Sequence, residues 1–184
     1  IEMERELYVK KRVIDFNSLL DAKEDIGQFE PAVVSHGGRQ LIHDNTIRST
    51  LVKTSVKPEH YPDLNKSMLS LLPLLGPDLH PDRHRVIEYN YLKYNKGDFF
   101  TRHRDVIQED HPKLIRRFST TTLISESDDF EGGEFLLWDK SDGPSIEIKL
   151  EAGETLLFES TKVHEVKPVT KGTREALISW IGIK

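Results

Sequence analysis

Two histidines and one aspartate carry the first chemical signal in this sequence. His103 and Asp105 stand one residue apart within Phe99-Phe100-Thr101-Arg102-His103-Arg104-Asp105. In an extended segment residues i and i+2 project to the same face, so an imidazole and a carboxylate reach toward one point. A second imidazole, His164, follows the β-type run Thr155-Leu156-Leu157-Phe158. Two histidines and a carboxylate form the facial triad that holds Fe(II) on one side and leaves the opposite positions for other ligands. An HxD triplet alone is a weak signal, and His36, His43, His60, His80, His84 and His111 compete as metal donors. Arg174 adds weight, because it leads the run Glu175-Ala176-Leu177-Ile178-Ser179-Trp180. A 2-keto diacid chelating a metal through its keto acid end has a second carboxylate to anchor, and a guanidinium grips such a group with a bidentate fork. The bland alternatives are a hydrogen-bonded surface histidine for His164 and an exposed strand-end arginine for Arg174.

Composition narrows what surrounds these residues. A chain of 184 residues with 36% apolar and 31% charged side chains suits one folded domain, expected to run over 1–184, and is long enough to bury a core. The absence of cysteine removes disulfides, Fe–S clusters, Cys-based zinc sites and thiol catalysis together, so any metal must use His, Asp or Glu. A net charge of -5 and a pI near 5.9 advertise no broad basic surface, so nucleic acid is not an expected partner. No apolar run approaches a membrane span, and the opening Ile1-Glu2-Met3-Glu4-Arg5-Glu6 is charged where a signal peptide is apolar. These features lead to the expectation of an intracellular, cytoplasmic protein, or a soluble piece of something larger. They leave oligomeric state undetermined.

The elements that must position the site fall into two textures. Leu7 to Leu20 reads as a strand and a short helix, and Ala32-Val33-Val34 as a short strand before the Gly37-Gly38 turn, a candidate lid. From Pro58 to Leu75 apolar residues recur at three- and four-residue steps, which predicts one amphipathic helix. After Pro81 come seven β-type runs: Arg85 to Tyr94, Phe118 to Ile124, Gly133 to Trp138, Ile146 to Leu150, Thr155 to Phe158, His164 to Val169 and Glu175 to Ile183. Turn residues such as Asn95-Lys96-Gly97-Asp98 and Ser141-Asp142-Gly143-Pro144 separate them. The expected fold is mainly β, a double-stranded β-helix (jelly roll) over about 81–184, supported by N-terminal α-helices over about 1–80.

From about Tyr89 onward the motifs stand in a familiar order. They are Tyr94-Asn95-Lys96-Gly97-Asp98-Phe99-Phe100, His103-Arg104-Asp105, Glu131-Gly132-Gly133-Glu134-Phe135, Gly153-Glu154-Thr155-Leu156-Leu157-Phe158, His164-Glu165-Val166 and Arg174. In these motifs the chain resembles the prolyl 4-hydroxylase-like branch of the Fe(II)- and 2-oxoglutarate-dependent dioxygenases, with weaker similarity at Asp44-Asn45-Thr46-Ile47-Arg48, where these enzymes enter their helical support region. The resemblance implies that His103, Asp105 and His164 bind iron, that Arg174 pairs with the distal carboxylate of 2-oxoglutarate, and that Tyr94 hydrogen-bonds this cosubstrate. It implies O2 as co-reactant, ascorbate in support, and hydroxylation of a substrate C–H with 2-oxoglutarate decarboxylated to succinate. Collagen-type members usually carry lysine where this chain has Arg174, so the likeness is closer to oxygen-sensing or bacterial members. Thr120 and Thr122 share a face and are added as candidates for the cosubstrate pocket, and Phe100, Leu123, Phe135, Leu157, Phe158, Val166 and Trp180 as candidates for its apolar walls.

The expected substrate is a prolyl or other residue in a protein or peptide, with a free amino acid or small metabolite as the alternative. The charged stretch Arg104 to Arg117 and the Gly37-Gly38 turn are candidates for the substrate rim. A nucleic-acid demethylase of the same superfamily would need a second arginine beyond Arg174, where only Lys184 is basic. A cupin-like metal-binding module without oxygenase activity stays open through His111, and an inactive interaction domain is disfavoured by the intact triad.

Overall fold

The computed structural model describes residues 4–12, 21, 29–36, 40–42, 46–53, 56–106 and 115–184. The N-terminal strands are β1 (Tyr8–Arg12), β2 (Glu30–Pro31), β3 (Val34–His36), β4 (Gln40–Ile42), β5 (Arg48–Ser49) and β6 (Leu51–Lys53). Two helices follow, α1 (Pro62–Leu69) and α2 (Leu72–Leu75). Next come β7 (His84–Tyr94), β8 (Phe99–His103), β9 (Phe118–Leu123), β10 (Phe130–Gly132) and β11 (Phe135–Trp138). The chain continues through β12 (Ser145–Ile148), β13 (Glu154–Glu159), β14 (His164–Val166), β15 (Val169–Gly172) and β16 (Arg174–Ile183). They assemble into a seven-stranded sheet, order β1-β13-β9-β16-β7-β6-β2, and a five-stranded sheet, order β12-β11-β14-β8-β5, with the smaller pairs β10-β15 and β3-β4. This mostly β architecture agrees with a jelly roll.

Two apolar layers bracket the larger sheet. One lies between the two sheets and joins Leu92, Leu123, Leu156 and Phe158 of the larger to Phe135, Leu137 and Val166 of the smaller. The other lies outside the larger sheet, where Leu64, Met68, Leu72 and Leu75 from the helices pack with Tyr89, Tyr91, Leu157, Leu177 and Ile181. Each such fully buried aliphatic side chain stabilises the fold by about 1.5–3 kcal/mol. Strand alternation assigns the faces: on β13, Leu156 and Phe158 point between the sheets while Leu157 points to the helices. Leu157 is therefore removed from the candidate pocket wall.

Several expected elements take a different form. The single helix expected over Pro58 to Leu75 is a 3-10 turn (Pro58–His60) followed by α1 and α2. Tyr61, at φ -129 and ψ 60, breaks the first boundary. Pro73, which has no N–H to donate back into a helix and enters α2 at its first turn, makes the second. The N-terminal helical support is likewise different, because the described residues 4–12, 29–36, 40–42 and 46–53 contribute strands, and α1 and α2 come late in the stretch. Tyr8–Arg12 forms the edge of the larger sheet by pairing with β13, while residues 13–20, where a short helix was expected, lie outside the described residues. So do the Gly37-Gly38 turn, residues 43–45 and most of the proposed rim, 107–114. The run His164 to Val169 is two strands, split where Pro168 cannot donate to a ladder; Lys167 N–H still bonds Glu134 O at 2.9 Å before β15 turns to pair with β10. Among the described residues no helix is long and apolar enough to cross a membrane.

Candidate metal centre

The two imidazoles meet because β8 and β14 are neighbours, with His103 and His164 direct cross-strand partners. Asp105 lies just past β8, its N–H bonded to Ser160 O at 3.0 Å, which turns its side chain back toward the strand end. His103 Nε2 and His164 Nε2 each lie 3.3 Å from Asp105 Oδ1. The three ligand atoms fall within 4.8 Å of one another, the one such group of three or more His, Cys, Asp or Glu among the described residues. His111, which kept the cupin-like reading open, is outside them.

The far ring nitrogens fix the tautomers. His103 Nδ1 is 2.7 Å from Thr101 O and His164 Nδ1 is 3.1 Å from Lys162 O. A carbonyl oxygen only accepts, so Nδ1 of each ring must be the donor; a proton on Nε2 is then donated to Asp105, and when metal displaces it Nε2 presents its lone pair to the centre, as a metal-binding histidine does. Phe100 stacks on His103, 3.5 Å between centroids and 10° between planes, and Phe158 meets His164 edge-on at 4.9 Å. Burial alone would raise the Asp105 carboxyl, but the charge of His164 and hydrogen bonds from both imidazoles outweigh it and hold the group well below the usual carboxylate range. Burial and the neighbouring His164 lower His103, while Asp105 overcomes burial and raises His164. The donor set thus contains a carboxylate that stays ionised and two oriented imidazoles.

On the inner face of the larger sheet, Arg174 and Tyr94 are cross-strand partners on β16 and β7. The Arg174 guanidinium carbon lies 5.6 Å from the Tyr94 ring centre, and the two residues are 4% and 1% exposed. Burial lowers Arg174 and raises Tyr94, so the phenol keeps its proton. Gly133, at φ +64, gives the guanidinium stem room, since a Cβ there would stand 3.1 Å from Arg174 Cδ. Among the described residues Arg174 forms no ion pair with a carboxylate, so the fold buries a cation with no counter-charge of its own. That combination fits an anionic ligand reaching in from the triad.

Thr120 and Thr122 are not at this pocket. Thr120 Oγ1 bonds Ser179 Oγ, and Thr122 Oγ1 bonds Thr155 Oγ1 at 2.6 Å, both on the helix-facing side of the larger sheet. Alternation puts Ser119 and Thr121 on the inner face instead, and Ser119 Oγ indeed lies 2.8 Å from Asp105 Oδ2. Trp180 is also on that face, its Nε1–H donating to Asp105 Oδ2 at 3.2 Å while Arg116 lies over its ring at 3.5 Å.

A residue the sequence reading placed differently is Arg48. The segment ending there was expected to lead into helices; Thr46 and Ile47 instead form a turn, and Arg48 pairs with Phe100 as β5 joins β8. Its guanidinium carbon sits 4.4 Å from the Phe100 ring centre, on the ring that stacks on His103, and its buried Nε has no hydrogen-bond partner among the described residues. Burial lowers its pKa.

Comparison with known proteins agrees with this geometry. The profile of the 2OG-Fe(II) oxygenase superfamily matches residues 89–182. A PKHD-type hydroxylase of Gluconacetobacter diazotrophicus is 34% identical over 100 residues, covering 52% of this chain and 43% of that protein. One from Verminephrobacter eiseniae is 32% identical over 118 residues, covering 64% and 50%. The match thus spans about half the length of these relatives or less. In structure the chain is similar to a Pseudomonas putida prolyl-4-hydroxylase (TM-score 0.66, 20% identity, 97% of this chain and 93% of that one). It is also similar to a Trichoplax adhaerens prolyl hydroxylase in complex with a hypoxia inducible factor oxygen degradation domain peptide fragment (TM-score 0.63, 17% identity, 96% and 84%). At these identities the likeness shows the fold.

Proposed function

Because the chain belongs to the 2OG-Fe(II) oxygenase superfamily, whose profile matches half of it, we propose that it hydroxylates a C–H bond of a prolyl or other residue in a protein or peptide. The observation that carries this reading is the pairing of the His103–Asp105–His164 group with the buried, uncompensated Arg174. The first suits Fe(II), the second the far carboxylate of 2-oxoglutarate. Fe(II) with 2-oxoglutarate and O2 would supply the oxidising chemistry, one oxygen atom ending in the substrate hydroxyl and the other in succinate as CO2 leaves.

The protein's own share is positional. His103 and His164 offer Nε2, their Nδ1 protons spent on backbone carbonyls, and Asp105 offers Oδ1. Arg174 anchors the cosubstrate by its distal carboxylate and the protonated Tyr94 donates to it, so the keto acid end is directed at the triad. Leu92, Leu123, Phe135, Leu156 and Phe158 keep water from this space. A peptide substrate is favoured because a structural neighbour was solved with a peptide fragment bound. Ascorbate would serve as a supporting reductant.

The test is succinate formation by the protein with Fe(II), 2-oxoglutarate and O2, with and without proline-containing peptides. Peptide-stimulated succinate accompanied by a mass gain of one oxygen on the peptide supports the reading. Stimulation by free amino acids alone would move the substrate to a small metabolite, and tight metal binding with no succinate under any condition would leave a metal-binding module.

A further inference from the structure

Asp105 is tied at more points than a metal ligand requires. Its Oδ1 faces both imidazoles, while its Oδ2 is met by two donors, Ser119 Oγ–H at 2.8 Å and Trp180 Nε1–H at 3.2 Å. Behind Ser119 stands Ser160, with 2.8 Å between the hydroxyl oxygens. Ser119 and Ser160 are 0% and 1% exposed, so no bulk water competes for these bonds.

An ionised carboxylate donates nothing, so the single Ser119 proton must go to Asp105 Oδ2. Ser160 is then the donor to Ser119. The same Ser160 accepts the Asp105 N–H through its backbone carbonyl at 3.0 Å, and its own N–H is held by Arg117 O at 3.0 Å. Asp105 is therefore fixed through both main chain and side chain by one closed circuit. The two Oδ2 donors come from neighbouring strands, with Ser119 on β9 directly opposite Trp180 on β16. The equally buried pair Thr120 and Ser179 sits on the other face of the same strands and touches none of the triad.

We infer that Ser119 is a positioning residue: with the Trp180 indole it holds Asp105 Oδ2, so that the carboxylate is fixed with Oδ1 turned toward the imidazoles and the metal. This rests on the metal reading of the triad. Ser160 serves by supplying its proton to Ser119 and so orienting the Ser119 hydroxyl onto the carboxylate. Partners of this kind typically contribute about 10- to 100-fold to metal affinity.

The experiment measures Mn(II) binding to chelator-treated full chain by the loss of the free Mn(II) electron paramagnetic resonance signal, in wild type, Ser119→Ala, Trp180→Phe and Ser179→Ala. Ser119→Ala is expected to weaken Mn(II) binding about tenfold or more, and Trp180→Phe, which removes the N–H and keeps an aromatic side chain, to weaken it in the same direction. Ser179→Ala is the control for loss of a buried hydroxyl and should stay within about twofold of wild type. If Ser119→Ala does not fold, Trp180→Phe alone decides. Wild-type affinity in the Oδ2-side variants, or an equal loss in Ser179→Ala, overturns the inference while leaving the metal reading intact. A wild-type protein that takes up no Mn(II) overturns the metal reading and this inference with it.

Discussion

Replacing Arg174 with methionine should move two properties in opposite directions. The side chain is 4% exposed, and among the described residues no carboxylate pairs with it. Burial lowers its pKa, meaning that the fold tolerates this charge less well than water does. Methionine replaces the aliphatic stem and keeps much of its packing while removing the charge. Exchanges of buried charge for apolar groups of similar size are often neutral or stabilising by about 1–4 kcal/mol. The ligand-free, metal-free protein should therefore melt at the same temperature or higher. The same change removes the partner of the cosubstrate carboxylate. A hydrogen bond to a charged group contributes roughly 1.5–3 kcal/mol, so 2-oxoglutarate should bind about 10- to 140-fold more weakly. The assays are a thermal melt in the presence of chelator and a calorimetric titration with 2-oxoglutarate in the presence of Mn(II). A variant that melts lower than wild type and binds 2-oxoglutarate equally well would refute the assignment, because Arg174 would then be a structural cation.

His103→Ala, and separately Asp105→Ala, should abolish metal uptake measured by equilibrium dialysis, since each removes one of three donors from a group with no spare ligand among the described residues. Thr120→Val and Thr122→Val should leave 2-oxoglutarate affinity within about twofold in the same calorimetric assay, because both hydroxyls face the helices. Gly172→Ala should destabilise the protein by about 2 kcal/mol or more in urea unfolding, since the residue sits at φ +72 and an added Cβ would overlap the Asp129 carbonyl. Met68→Ala should cost about 2–5 kcal/mol in the same unfolding experiment, with metal affinity unchanged, because its side chain is fully buried under α1 and away from the triad.

The chemistry was more legible in the sequence than the scaffold. His103 and Asp105 share a face by the two-residue period of a strand, and His164 could be matched to them by its place after an apolar run. What joins them is the β8–β14 ladder, a contact distant in sequence that periodicity does not encode. Thr120 and Thr122 show the limit of alternation. The period fixes which residues share a face but not which face turns inward, and that parity is set by the Ser119–Asp105 bond on one side and the Thr120–Ser179 bond on the other. The helix over Pro58 to Leu75 had the right apolar spacing, and its three- and four-residue steps do bury Leu64, Met68, Leu72 and Leu75. Pro73 interrupts the backbone without disturbing the stripe. Arg48 was hidden for a different reason: its stacking on Phe100 depends on a two-residue strand too short to register as a pattern.

Anaerobic titration of the metal-free protein with Fe(II) and then 2-oxoglutarate, followed in the visible spectrum, tests the central claim most directly. In wild type a charge-transfer band should appear only when both are present, and it should be absent in His103→Ala. A band that survives in His103→Ala, or no band in wild type with metal demonstrably bound, would contradict the assignment of the triad as the site where iron and 2-oxoglutarate meet.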